Sequence, residues 1–514
     1  MKLRLFAACV IGAAAFVSCQ KITGQDTPGN ENTTPGGPAK VTLTVSFAVP
    51  EPTRVTFSDY FDSVEEEYYL QPRFEVGDGL MLIYESGAKA DLAVTKVSAS
   101  TATLEGEAVD GTARLVYIKD KAAKDWNGGM AIDYTGQKGC AEAAVYISAP
   151  GAISDGAGSF ILANAGAILG ISEARGLPAG AKVTGVTVDG KGLASASVSE
   201  AFGLASANPS EAGSISAALS GFSVADGGLV VSPGGQAHPI FLALPAGASV
   251  TGVTLTTEAH GTWSIAGASG ELAADSYVYV KGQLFGALPG EFSVSETKKV
   301  RFSQGNLQAE VDAKGAPVAW KFAATQTEFI GSGGANTSLA SGTVDLFGWS
   351  TAATTFGIST DQSDATYGGS FKDWGKAFGE RSPWRTLSQA EWAYLLTGRS
   401  VKGTAGTALD NTCSLTTVSS VYGLVIYPDG YTGALANGNI PEGCVFLPAS
   451  GYRSGSSISG SAKGYYWSGT AATVAADGTV YRLVFLDSAV YPGTDGIGNR
   501  CQGSSVRLVS DCTD

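Results

Sequence analysis

Proton transfer and metal binding near neutral pH fall most naturally to histidine, and this chain has two, His238 and His260. Both precede residue 291, so the aromatic-rich last segment has no imidazole for general-base or zinc chemistry. The seven cysteines include no Cys-x-x-Cys pair, which argues against a zinc knuckle. Gly331-Ser-Gly-Gly334 lacks the Lys-Ser/Thr that completes a phosphate cradle and reads as a surface loop. Asp361 and Asp364 lack EF-hand spacing and read as solvated loop acids. No catalytic residue, metal or cofactor is therefore expected, and recognition is the chemistry that remains. Tyr465, Tyr481 and Tyr491 lie near Arg482, Asp487, Asp495, Asn499 and Arg500. Tyr, Arg, Asp and Asn together supply flat apolar area and hydrogen-bonding reach. The three tyrosines are flanked by Gly, Pro or polar residues and read as surface contacts. Trp467 reads as core, and Arg453 and Arg507 as holders of loops through buried hydrogen bonds.

A helix is expected to brace that surface. In Trp384-Arg-Thr-Leu-Ser-Gln-Ala-Glu-Trp-Ala-Tyr-Leu-Leu-Thr-Gly-Arg399, Ser388 is an N-cap and Glu391 closes a capping box. Leu387 can staple onto Trp392; Trp392, Leu395 and Leu396 share one face, and Gly398 ends the run.

The chain has 514 residues and a formal charge of -14, enough for about three domains and unsuited to a phosphate backbone, so nucleic acid is not an expected partner. With 69 glycines and 16% charged residues, the composition suits extracellular β-structure with many turns. Lys2 and Arg4 precede an apolar run from Leu5 to Val17 and then Ser18-Cys19, the pattern of a secretory signal too short to span a membrane. Residues 1–18 are assigned to that signal. Phe16-Val-Ser-Cys19 resembles a bacterial lipobox, which implies that Cys19 is lipidated and becomes the first mature residue. Setting aside Cys9 and Cys19 leaves Cys140, Cys413, Cys444, Cys501 and Cys512, an odd set in which one or two disulfides and unpaired thiols both stay open.

Residues 19–40 form a flexible tether rich in Gly, Pro, Asn and Thr. Val41, Leu43, Val45, Phe47 and Val49 then alternate as in a half-buried strand, opening a first β-sandwich over residues 41–150. A second is expected over 151–290, where Leu177-Pro-Ala-Gly-Ala-Lys-Val-Thr-Gly-Val-Thr187 nearly recurs as Leu244-Pro-Ala-Gly-Ala-Ser-Val-Thr-Gly-Val-Thr254. Two copies are too few for a solenoid and mark a recurrent turn-then-strand element. Residues 291–514 form the last domain.

Phe74-Glu-Val-Gly-Asp-Gly-Leu-Met-Leu-Ile83, the strand Phe160 to Leu169, and Leu272 with Tyr277-Val-Tyr-Val280 resemble the fimbrillins of Bacteroidales, pilin-like proteins of two transthyretin-like sandwiches. The capped helix, Phe446-Leu-Pro-Ala-Ser-Gly-Tyr-Arg453, Gly464-Tyr-Tyr-Trp-Ser-Gly-Thr470 and Gly503-Ser-Ser-Val-Arg-Leu-Val509 resemble the C-type-lectin-like fold of the formylglycine-generating-enzyme superfamily and of diversity-generating-retroelement variable proteins. The combined resemblance implies a mostly β chain, two fimbrillin-like sandwiches followed by an α+β lectin-like domain. It further implies a lipid-anchored adhesin or receptor of the outer membrane or a fimbrium, with a surface protein or glycan as ligand and pilin subunits as partners by strand addition. Arg54, just after the first strand, would mark the cleavage that frees an acceptor groove. The superfamily's oxidases use paired cysteines near the C-terminus; Cys501 has no matching partner, so no enzyme is expected.

Overall fold

A computed structural model describes residues 38–48, 54–56, 74–98, 101–118, 126–199, 201–233, 239–266, 271–280, 284–333, 335–338, 341–349, 370–472, 479–492 and 496–512. The signal, Cys19 and most of the tether lie outside them, as do His238, Asp361, Asp364 and Asp495. The chain is predominantly β. Among the described residues no helix is long and apolar enough to cross a membrane.

The alternation at residues 41–45 is realised in the strand Ala39–Phe47, where Val41, Leu43 and Val45 are at most 1% exposed and Thr42 and Thr44 face out. Each buried aliphatic side chain there contributes about 1.5–3 kcal/mol. That strand lies between Thr101–Ala108, antiparallel, and Ala157–Asn164, parallel. Its sheet continues through Val145–Ser148 and Gly111–Ile118 on one side and Lys89–Ser98 and Gly79–Tyr84 on the other. Gly79–Tyr84 also pairs with Gly111–Ile118, so the sheet closes on itself. The first unit is thus a barrel, where a sandwich was expected; closure leaves these strands no free edge.

The boundary expected at residue 150 also moves. Gly151–Ile153 and Ala157–Asn164 belong to the barrel, and the single strand expected from Phe160 to Leu169 is two. Asn164 breaks it: its Oδ1 accepts the Gly166 N–H at 3.1 Å, an Asx-type turn. At Gly166 an added Cβ would stand 2.6 Å from the Leu244 carbonyl oxygen.

After that turn Ala167–Ile171 enters a second sheet, between Ile240–Leu244 and Ser276–Val280, with Arg54–Thr56 beyond. Leu169, Ile171, Leu242, Leu244, Val278 and Val280 join one core, and Ile168, Phe241, Ala243 and Tyr277 the barrel's. Burial on both faces explains why these strands read as continuous apolar runs rather than alternations. The first of the two cores is closed by a five-stranded sheet in which the two repeats become the neighbours Lys182–Lys191 and Ser249–Thr257, with Thr187 opposite Thr254.

The same core runs on into the last unit. Trp263, fully buried, packs with its ring centroid 4.6 Å from that of Phe322, tilted, and 5.3 Å from that of Phe378, edge to face, and Trp384 Nε1 donates to the Gly176 carbonyl at 3.2 Å. Gly286, at φ +80°, lets the indole lie against the backbone, since a Cβ there would sit 2.6 Å from the ring. Gln304 seals the adjoining sheet edge: its amide donates to the Thr262 carbonyl at 2.8 Å and accepts from the Ser264 N–H at 3.2 Å. The C-terminal strand Val509–Asp511 is itself an inner strand, paired with Lys299–Phe302 on one side and Trp384–Arg385 on the other.

Candidate ligand-binding face

The helix has the expected start. Ser388 Oγ accepts the Glu391 N–H while Glu391 accepts the Ser388 N–H, a complete capping box. Gln389–Ala393 is α-helical and passes into a π turn, Tyr394–Gly398. Trp392, Leu395 and Leu396 are at most 1% exposed and pack with Leu387 and Phe302. Trp392 Nε1 reaches the Trp467 carbonyl at 3.4 Å, which seats the helix on the strand Gly464–Ala471.

Beneath the expected recognition surface, buried side chains bind main chain and one another. Arg453 is 0% exposed and donates from Nη1 to the Asn336 carbonyl at 3.0 Å and from Nη2 to the Leu346 carbonyl at 2.9 Å. Its backbone N–H and C=O pair with Gly503. Trp467 Nε1 donates to the Phe347 carbonyl at 2.6 Å, and Trp349 Nε1 to the Ser468 carbonyl at 3.0 Å. Arg507, 1% exposed, donates to Asn306 Oδ1 at 3.4 Å and Gln326 Oε1 at 3.2 Å. Asp345 accepts from Asn336 Nδ2 at 2.6 Å and the Ile330 N–H at 2.7 Å; complete burial nevertheless pushes its carboxyl above the ordinary range.

Above this base, Thr479–Phe485 runs antiparallel to Gly464–Ala471, with Trp467 opposite Arg482. Its other edge takes Ile497–Asn499 and Val490–Tyr491 in turn. The surface expectation divides here. Asp487 is exposed and Tyr491 and Asn499 are half-buried, whereas Tyr465, Tyr481 and Arg482 are 9%, 6% and 7% exposed. A strand paired on both edges and covered on its outer side has no solvent face. Tyr465 is enclosed by Tyr452, at 4.9 Å edge to face, by Gly460 and by the Arg482 guanidinium, 4.5 Å from its ring. Tyr452 and Gln502 were not among the expected site residues, yet both adjoin Arg482. Tyr452 sits in the Gly-Tyr-Arg motif and was readable from it; Gln502 carried no signal.

No disulfide joins the described cysteines. Burial pushes the Cys413 and Cys444 thiols up to about 12, far from the thiolate a redox centre needs.

Asp429 ties the domain's start to the end of the helix. It accepts from Ser293 Oγ at 2.6 Å and Arg399 Nη1 at 2.9 Å. Burial pushes its carboxyl up, but the Ser293 and Arg399 hydrogen bonds outweigh that and hold it below the usual range. On the more deeply buried Arg399 desolvation wins instead, and its pKa falls. A depressed carboxylate contributes stability that is present above its unfolded value, about 3.9, and is lost as pH falls through the folded one. Asp429→Asn should therefore flatten the acid limb of the stability curve below about pH 4. Urea melts at stepped pH showing the same acid slope in both proteins would refute this.

No protein-family model matches the chain, and no curated protein does. Among solved structures it is similar to a candidate cell adhesion protein of Bacteroides ovatus, at 10% identity and TM-score 0.30, over 48% of this chain and 95% of that one. Another is a candidate cell adhesion protein of Bacteroides thetaiotaomicron, at 14% identity and TM-score 0.29, over 47% and 90%. A fimbrial protein of Bacteroides ovatus aligns over 93% of this chain and 99% of its own, at 10% identity and TM-score 0.23. Similarity of that size fixes neither fold nor function.

Proposed function

We propose that this chain is a non-catalytic surface adhesin of the pilus-tip type: its two N-terminal β units carry a lectin-like C-terminal domain, and it accepts a neighbour's strand without donating one. The observation that carries this reading is the unequal state of the first and last described strands. Val509–Asp511 is held between two strands of its own domain. Ala39–Phe47 is the one barrel strand that a single cut behind it would release, and its departure would expose the edges of Thr101–Ala108 and Ala157–Asn164. An incoming strand could add there by main-chain hydrogen bonds and apolar pockets for alternate residues. The continuous core through Trp263 would present the C-terminal domain rigidly, with lipidation at Cys19 as the anchor before assembly. The Arg54–Val55 bond lies in a strand paired with Ser276–Val280, so it becomes a protease substrate only when that strand lifts.

Limited digestion of the full chain with an arginine-specific protease should cut after Arg54 and leave a barrel that captures a synthetic peptide of residues 39–47. Digested protein mixed with fimbrial subunits should then label fibre ends in immunogold images. Label spread along the shafts, or a cut chain that unfolds and captures nothing, would overturn the tip reading.

A further inference from the structure

Three separate sheets end in the strands Ile240–Leu244, Thr262–Ala266 and Val445–Pro448. On each of these edges a glutamine side chain stands where a pairing strand would. Gln137 Nε2 donates to the Ala243 carbonyl at 2.9 Å while its Oε1 accepts the Ala243 N–H at 2.8 Å. Gln304 Nε2 donates to the Thr262 carbonyl at 2.8 Å and its Oε1 accepts the Ser264 N–H at 3.2 Å. Gln326 repeats the arrangement, donating to the Cys444 carbonyl at 3.2 Å and accepting the Phe446 N–H at 2.7 Å.

A primary amide carries a donor and an acceptor side by side, as a strand residue does on its bonded edge. At Ala243 the glutamine exchanges both bonds with one residue, which is the antiparallel pattern. At the other two edges it bridges residues two apart, as a parallel neighbour would. Main chain completes the closure: Phe241 donates to the Gly139 carbonyl at 2.9 Å and accepts the Ala141 N–H at 2.8 Å, and the Ser264 carbonyl accepts the Gly286 N–H at 2.9 Å. An open strand edge is a template for another chain. Ile240–Leu244 is apolar throughout and wholly buried, so once uncovered it would be a strong one.

We propose that Gln137, Gln304 and Gln326 are edge closures: each stops a sheet edge from taking an extended strand of a second copy of this chain. Self-association through these edges is the interaction they hold in check. The inference stands apart from the adhesin reading, and it would confine strand addition to the barrel slot that reading invokes.

The test uses the full mature chain. Methionine is close to glutamine in length and volume but lacks the amide's donors and its strong acceptor, so Gln137→Met and Gln304→Met remove the bonds and keep the packing. Gln389→Met, on the helix, is the control, and Gln326 is left in place because Arg507 Nη2 also donates to it. In sedimentation velocity the wild type and the control should keep one mass across a concentration series, while each edge variant forms dimers and larger species as concentration rises. In dilute samples amide exchange should quicken about 10-fold at Ala243 in the first variant and at Ser264 in the second. Should Gln137→Met fail to fold, Gln304→Met carries the test, since Gln304 is half-buried where Gln137 is 2% exposed. Folded variants that keep the wild-type mass at every concentration overturn the proposal. Faster exchange without association does so too, because it would leave the glutamines a purely structural role.

Discussion

Trp263→Ala should cost about 3–5 kcal/mol, the range for removing a large buried aromatic, and should divide one thermal transition into two. The indole is fully buried between the five-stranded sheet and the C-terminal unit, against Phe322, Phe378 and Gly286. Its Nε1 also donates to the His260 carbonyl at 2.8 Å, and His260 Nδ1 lies 3.0 Å from the Trp320 carbonyl oxygen. Truncation would therefore open a cavity at the joint and leave the half-buried His260 carbonyl with one partner fewer. Scanning calorimetry of wild type and variant is the measurement. A variant that still melts in one transition, with a loss below about 1 kcal/mol, would show that the aromatic joint does not couple the units.

Trp392→Ala should be comparably costly, about 3–5 kcal/mol, but confined to the C-terminal unit. Trp392 is 1% exposed, packs 6.1 Å from Phe302 by ring centroids, and ties the helix to the Trp467 carbonyl. Its removal should release the helix and, through Gly464–Ala471, slacken the strand opposite Arg482. Amide exchange should quicken across residues 464–471 and 479–485 and stay unchanged in the barrel. Unaltered exchange in those two strands would separate the helix from the candidate ligand-binding face.

What the sequence disclosed was local. The capping box at Ser388 and Glu391, the alternation of Val41, Leu43 and Val45, and the turn-then-strand element of the two repeats need only short-range pattern, and each appears in the structure; that the two repeat strands lie side by side does not follow from it. Barrel closure needed the pairing of Gly79–Tyr84 with Gly111–Ile118, which no window of residues encodes. The split at Asn164 was hidden because Ala157–Ile171 is apolar on both sides of one side-chain turn. At the candidate ligand-binding face, aromatic and charged residues near glycine suggested exposure, but strand partners and the Tyr452 hairpin cover Tyr465, Tyr481 and Arg482. Burial there is set by residues distant in sequence, so composition alone could not rank Asp487 above Tyr481 as a surface position.

Tension along the chain, which the proposed adhesive role would bring, meets the strand Ala39–Phe47 in a particular way. It is bonded along both edges, antiparallel to Thr101–Ala108 and parallel to Ala157–Asn164. A pull applied ahead of Ala39 along the strand's own axis loads both ladders in shear, so their hydrogen bonds share the force and yield together. The same bonds pulled sideways would open one after another, like a zipper. Resistance of this kind is set by the unfolding barrier rather than by equilibrium stability. The barrel is therefore a mechanical clamp while its first strand is in place, and a substitute strand entering the same slot would inherit that strength only if it lay along the same axis.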